Sequence, residues 1–353
     1  MTASSSAGRC VGIIANPVSA RDIRRIVANA SNLQISDRVN IVLRVLSTLA
    51  ACGVERVLAM PDRAGMRALL TRHLQRERNL HHAFPQLEFV ALEPSSSVDD
   101  TFEAARLMVQ AGVAAIVVLG GDGTHRAVVR ELMQHPAPPP IAGLSTGTNN
   151  AYPELRESSV TGLAVGLHVN GSLGADDALA PNKVLEVTVD GPRGLRRDIA
   201  IVDAVISTDR FIGARALWKP EGLHSVYLAF AEPQAIGLSS IGGLLHPVAR
   251  DAPGGLAIEL APAGAARLCG LRAPTAPGMV REIGISRHVP MPADEPFTVA
   301  LQAGVVALDG EREMAFDEGD RVSVTLRERA FMSVAVARCL QLAAERGLLR
   351  TAP

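Results

Sequence analysis

An apolar, β-branched run, Ile116-Val117-Val118-Leu119, stops at Gly120-Gly121-Asp122-Gly123-Thr124. Just beyond it, Ala127, Val128, Leu132 and Met133 fall at helical spacing. That order predicts strand, tight loop, helix. Glycines let the backbone turn sharply and approach a ligand, while N–H groups and the positive end of the following helix face an anion. The loop is therefore suited to phosphate. Asp122 is the anomaly, because a carboxylate in a phosphate cradle repels its ligand unless it handles a cation or accepts a proton from an attacking hydroxyl. Phosphoryl transfer is one reading; an ordinary turn whose Asp122 caps the helix is the other. The spacing is neither Gly-x-Gly-x-x-Gly nor a Walker loop, so neither common nucleotide fingerprint applies.

The segments before this loop repeat its alternation. Cys10 to Ala15 reads as a first strand ended by Asn16-Pro17, since proline cannot continue the ladder. Asp22 to Ala30, Asn40 to Cys52, Arg63 to Glu77 and Val98 to Gln110 carry helical periodicity, and Val54 to Met60 and Leu87 to Leu92 read as strands. Strands alternating with helices imply right-handed βαβ units and a parallel sheet covered on both faces, a three-layer domain. Ligands of such sheets bind beyond the carboxyl ends of the strands, where Asn16 and the loop from Gly120 to Thr124 both fall. A short strand, Ile141 to Leu144, then leads into Ser145-Thr146-Gly147-Thr148-Asn149-Asn150. Hydroxyl and amide side chains beside a glycine can donate to phosphate or ribose oxygens, or form turns and cap a helix. Tyr152 to Asn170 reads as helical, interrupted early by Pro153.

From Lys183 the texture changes to strand-like runs divided by Gly and Pro clusters: Val184 to Val189, Asp198 to Thr208, His224 to Phe230, Leu256 to Leu260, Arg281 to Val289, Phe297 to Leu308 and Arg321 to Leu326. Only Phe211 to Lys219 and Gly264 to Arg272 interrupt them with helical pattern. The expectation is an α/β fold with an N-terminal nucleotide-binding domain over 1–150, a C-terminal mostly antiparallel β-rich domain over 151–328, and a C-terminal helix, Arg329 to Gly347, within 329–353 that returns to the first domain.

Two acidic positions stand out in the second half. Asp309-Gly310 between apolar stretches, followed by Glu311, is a strong hairpin signal, and a turn there is compatible with a site residue. Asp203 interrupts the apolar strand Ile199 to Ile206, where a buried carboxylate costs several kcal/mol unless it is paired or faces a cleft. His125 and His168 have no metal-ligand spacing with neighbouring acids and read as solvated or helix-surface residues.

Composition narrows the partners. With 35 Lys and Arg against 36 Asp and Glu, interspersed for a net charge of -1, no basic footprint for nucleic acid or an anionic membrane exists. No apolar run reaches membrane-spanning length. Four cysteines far apart, without Cys-x-x-Cys, read as reduced thiols, and the chain is expected to be cytoplasmic. No metal-ligand cluster of His and Cys is visible.

Gly120 to Thr124, with Asn16-Pro17, Gly147 to Asn150 and Asp309 to Glu311 in that order, resembles the NAD kinase and diacylglycerol kinase superfamily, within it the branch associated with bacterial acetoin degradation. The resemblance implies ATP and Mg2+, with NAD or NADH a further ligand, and a hydroxyl acceptor bound between domains. It implies Asp122, Asp309 and Glu311 as the catalytic carboxylates. Nucleotide contacts would come from Asn16, Gly120, Gly121, Gly123, Thr124, Thr146, Gly147, Thr148, Asn149, Asn150 and Asp203. It also implies a homo-oligomer, dimer or tetramer. Val202 stands where NAD kinases carry the Asn that contacts the dinucleotide, which speaks against NAD as acceptor. The other readings are a lipid-type kinase, against which the lack of a basic or aromatic membrane face counts, and a nucleotide-binding regulator without chemistry.

Overall fold

The computed structural model describes residues 9–16, 33–79, 83–146, 150–208, 222–262, 264–310 and 312–351. The helices expected over Asp22 to Ala30 and Phe211 to Lys219 lie outside those residues, as do Gly147, Thr148, Asn149 and Glu311.

The N-terminal half alternates as its periodicity dictates: β1 (Cys10–Ala15), α1 (Ile35–Ala51), β2 (Arg56–Ala59), α2 (Met66–Asn79), β3 (Gln86–Phe89), α3 (Asp99–Gln110), β4 (Ala115–Gly120), α4 (Asp122–Leu132), β5 (Ile141–Ser145) and α5 (Ser158–Val169). These five strands are parallel, in the order β3-β2-β1-β4-β5. β1 and β4 are buried along their whole length, the mark of strands covered on both faces. α5 begins only at Ser158, with Glu157 accepting the Ser159 N–H as its cap, so the helical pattern read from Tyr152 starts late, after Pro153.

The second half continues with α6 (Ala175–Ala178), β6 (Leu179–Asp190), β7 (Arg196–Ala200), β8 (Asp203–Ser207), β9 (Leu223–Leu228), α7 (Ser239–Leu245), β10 (Gly255–Ala261), β11 (Cys269–Ala276), β12 (Met279–Met291), β13 (Pro296–Thr298), β14 (Gly304–Leu308), β15 (Arg312–Phe316), β16 (Arg321–Val334) and α8 (Val336–Glu345). Seven of these strands form an antiparallel sheet, β11-β12-β10-β9-β8-β14-β15. β6, β7 and β16 do not join it. They extend the parallel sheet past β5 in the order β16-β6-β7, with β13 alongside β16, so the first sheet is parallel at one end and antiparallel at the other.

The strand β16 corrects one expectation. Residues 329–334, read as the start of a helix, continue the strand: Phe331 to Val334 pair with Asn182 to Leu179 beyond an irregularity after Arg327, where Arg329 has φ 52°. The ladder offered by β6 outweighs the helical pattern, and Phe331 and Val334, three apart and so on opposite faces of the strand, enter two different cores. The helix proper starts at Val336, and its Val336, Cys339 and Ala343 share a core with α1 and α5, so it does pack on the parallel-sheet unit. Likewise the stretch Gly264 to Arg272 holds no described helix; from Cys269 it is the edge strand β11, paired with β12. No described helix is long and apolar enough to cross a membrane.

Candidate functional site

β1, β4 and β5 end in register, with Ala15 beside Leu119 and Gly120 beside Ser145, so Asn16, the glycine loop and Thr146 leave the same edge of the sheet. Thr146 N–H donates to the Gly120 carbonyl at 3.2 Å, fastening the third of these loops to the second. Asn16 is buried; its Nδ2 donates to the Ser97 carbonyl and to Thr101 Oγ1 at the start of α3, and its carbonyl accepts from Arg38.

The glycines serve this loop by having no side chain rather than by their handedness, since none of Gly120, Gly121 and Gly123 has positive φ. A Cβ on Gly120 would lie 2.5 Å from Thr124 Cβ, and one on Gly121 would lie 2.8 Å from Asn150 Oδ1. Gly121 caps α4 without a side chain, which leaves the first-turn N–H groups of the helix outside its internal ladder and at the sheet edge. Asn150 Nδ2 in turn donates to Ser145 Oγ at 2.9 Å.

Asp122 opens α4, and its carboxylate accepts the N–H groups of Ala151 at 2.9 Å and Tyr152 at 2.8 Å. It therefore holds the loop after β5. Asp309 sits in the hairpin turn that Asp-Gly foretold, with φ 48° at Asp309 and 70° at Gly310, joining β14 to β15. Its side chain is wholly enclosed, accepting from Ile201 N–H at 2.9 Å, Val202 N–H at 2.8 Å and Asp203 N–H at 3.1 Å. The oxygens thus clamp the corner between β7 and β8. Burial pushes the Asp309 carboxyl up, opposed by Arg126 and the three N–H donors. Asp203 begins β8 beside this clamp, where its carbonyl accepts the Asp309 N–H.

Arg126 was not singled out by the sequence, although it directly follows the glycine motif by two residues. It is buried, donates to the Leu308 carbonyl at 2.9 Å and lies 4.0 Å from Asp309 Oδ2, so one side chain ties α4 to the antiparallel sheet. His125, expected at the surface, is fully buried: its ring lies 5.6 Å from that of Tyr152, and Nδ1 bonds the Gly121 carbonyl at 2.8 Å. Desolvation drives its pKa down to about 4, so the ring is neutral at pH 7. Among the described residues no group of three or more His, Cys, Asp or Glu could hold a metal ion. With Asp122 on two amides and Asp309 enclosed, the described carboxylates do not make a magnesium cage.

A parallel sheet whose glycine loop opens a helix, followed by an antiparallel sheet, is a fold of NAD kinase type. The ATP-NAD kinase N-terminal domain model matches residues 11–168, and the Acetoin catabolism protein X C-terminal domain model matches residues 183–329. The structure resembles that of yeast NADH kinase complexed with NADH, with a TM-score of 0.51 at 13% identity over 98% of this chain and 89% of that one. A diacylglycerol kinase from Bacillus anthracis aligns with a TM-score of 0.42 at 12% identity, over 94% of this chain and 98% of that one. Acetoin catabolism protein X of Cupriavidus necator is 55% identical over 99% of this chain and 97% of its own length. The chain belongs to the acetoin catabolism protein X family.

Proposed function

We propose that this chain is an ATP-dependent kinase of NAD-kinase type that transfers a phosphoryl group to a hydroxyl of a nucleotide or small metabolite in acetoin catabolism. The observation that carries the proposal is Asp122, set at the start of a helix whose first-turn N–H groups stand at the sheet edge beside Thr146 and Asn16. N–H groups at such a terminus hold phosphate oxygens, and positioning with charge stabilisation is most of what phosphoryl transfer requires. In this reading the Asp122 carboxylate, held by two amides, receives the acceptor's proton. Magnesium carried on the triphosphate would supply charge stabilisation at the transferred phosphoryl group. A homo-oligomer assembled through the antiparallel sheet belongs to the same reading.

The enclosed Asp309 and the engaged Asp122 favour a second reading, a nucleotide-binding regulator without chemistry. One screen separates the two: phosphate transfer from labelled ATP to NAD, NADH, acetoin-related metabolites and sphingoid or glycerolipid acceptors, with Asp122→Asn alongside the parent. The kinase reading expects transfer to a soluble hydroxyl, lowered about a hundredfold or more in the variant while nucleotide affinity changes far less. Nucleotide binding without transfer to any acceptor overturns it in favour of the regulator; transfer to the lipids alone overturns the acceptor class.

A further inference from the structure

Arg250, on the connection between β9 and β10, reaches out of the antiparallel unit to the loop that Asp122 holds. Its Nη2 donates to the Ala151 carbonyl at 2.5 Å and its Nη1 to the Tyr152 carbonyl at 2.6 Å. The guanidinium is aimed by a two-point pair with Glu232, at 3.0 and 3.1 Å, and lies 4.5 Å over the Phe230 ring and 5.6 Å over that of Tyr152. Lys183 of β6 fixes the segment around it, donating to the carbonyls of Ala249, Ala252 and Gly254 at 3.2, 2.8 and 2.8 Å.

The Ala151 carbonyl and the Tyr152 N–H belong to one peptide group. Arg250 therefore holds the oxygen end of the amide whose N–H end donates to Asp122 Oδ1. A cation at the carbonyl polarises the amide and strengthens donation from its N–H, as in any chain of hydrogen bonds. We propose that Arg250 is a positioning residue for Asp122, acting through the Ala151–Tyr152 peptide as a bridged ion pair. The coupling runs from the antiparallel unit to the glycine loop, so displacement of the β9–β10 connection is transmitted to the Asp122 carboxylate. Pro153 follows Tyr152 and has no N–H, so the second carbonyl contact only anchors the loop, and the relay passes through the first.

The relay itself does not depend on the kinase reading; its effect on turnover does. The first test is a double-mutant cycle on the full chain by chemical denaturation, with Asp122→Asn, Arg250→Met and the pair. The expected result is a coupling of at least about fivefold in the unfolding equilibrium constant, with Asp122→Asn costing much less when Arg250 is absent. Independent effects that simply multiply overturn the proposal. Should Arg250→Met not fold, Glu232→Gln, which releases the aim of the guanidinium, replaces it in the same cycle with the same criterion. In the second test, on folded protein well below the melting transition, Arg250→Met lowers kcat with little change in nucleotide affinity, and Arg250→Lys restores part of it. Unchanged kcat in Arg250→Met overturns the positioning role. A parent without transfer refutes the kinase reading, and the cycle still decides the relay.

Discussion

Asp309→Asn tests whether the enclosed carboxylate holds the fold or takes part in chemistry. In the parent, Oδ1 accepts from Val202 and Asp203 and Oδ2 from Ile201, with the Arg126 guanidinium 4.0 Å from Oδ2. Asparagine keeps the shape and can leave its oxygen on the Val202 and Asp203 amides. Its NH2 then faces the Ile201 N–H, donor against donor. Losing a charge-assisted bond and stranding a buried amide costs about 1.5–3 kcal/mol. Removing the negative charge beside a buried guanidinium raises the total to about 3–5 kcal/mol, the range for breaking a buried ion pair by one partner. At about 2 °C per kcal/mol for a chain of this size, Tm should fall by roughly 6–10 °C. The assay is differential scanning calorimetry together with nucleotide binding and turnover per folded molecule. A variant with parental Tm whose turnover is abolished would refute the clamp and return Asp309 to the reacting atoms.

Gly120→Ala should destabilise the chain by about 1–3 kcal/mol and weaken nucleotide binding, because the new methyl meets Thr124 Cβ, which cannot swing aside, at 2.5 Å; parental urea midpoint and affinity would contradict this. His125 supplies a pH dependence. Its folded pKa of about 4 lies below the ordinary value of 6.5, so the unfolded chain binds the proton first, and stability is complete above pH 6.5 and lost as pH falls toward 4. Each pKa unit is worth about 1.4 kcal/mol, which makes the loss about 3 kcal/mol. Urea midpoints of parent and His125→Gln between pH 7 and 4.5 should converge as pH falls, and parallel curves would sink the assignment.

Local chemistry alone decided a good part of this protein. The β-branched run ending at Gly120-Gly121 could only be a strand feeding a tight turn, and helical spacing after Thr124 could only continue as helix. The alternation from Cys10 to Ser145 followed as a parallel sheet, and Asp309-Gly310 formed the hairpin that its tolerance of positive φ predicts. Periodicity could not report which sheet a strand joins, because an apolar strand carries the same pattern whichever edge receives it. β6, β7 and β16 were taken up by the open edge of β5, and that pairing also drew residues 329–334 out of the predicted helix. The site divides in the same way. A sequence names carboxylates but not what their oxygens touch, so Asp122 and Asp309 could be chosen while their amide partners, 29 to 108 residues away, could not. Arg126 and Arg250 were invisible for a related reason: a charged side chain reads as surface until the fold encloses it, and only the approach of the two sheets gave these guanidinium groups backbone carbonyls to hold.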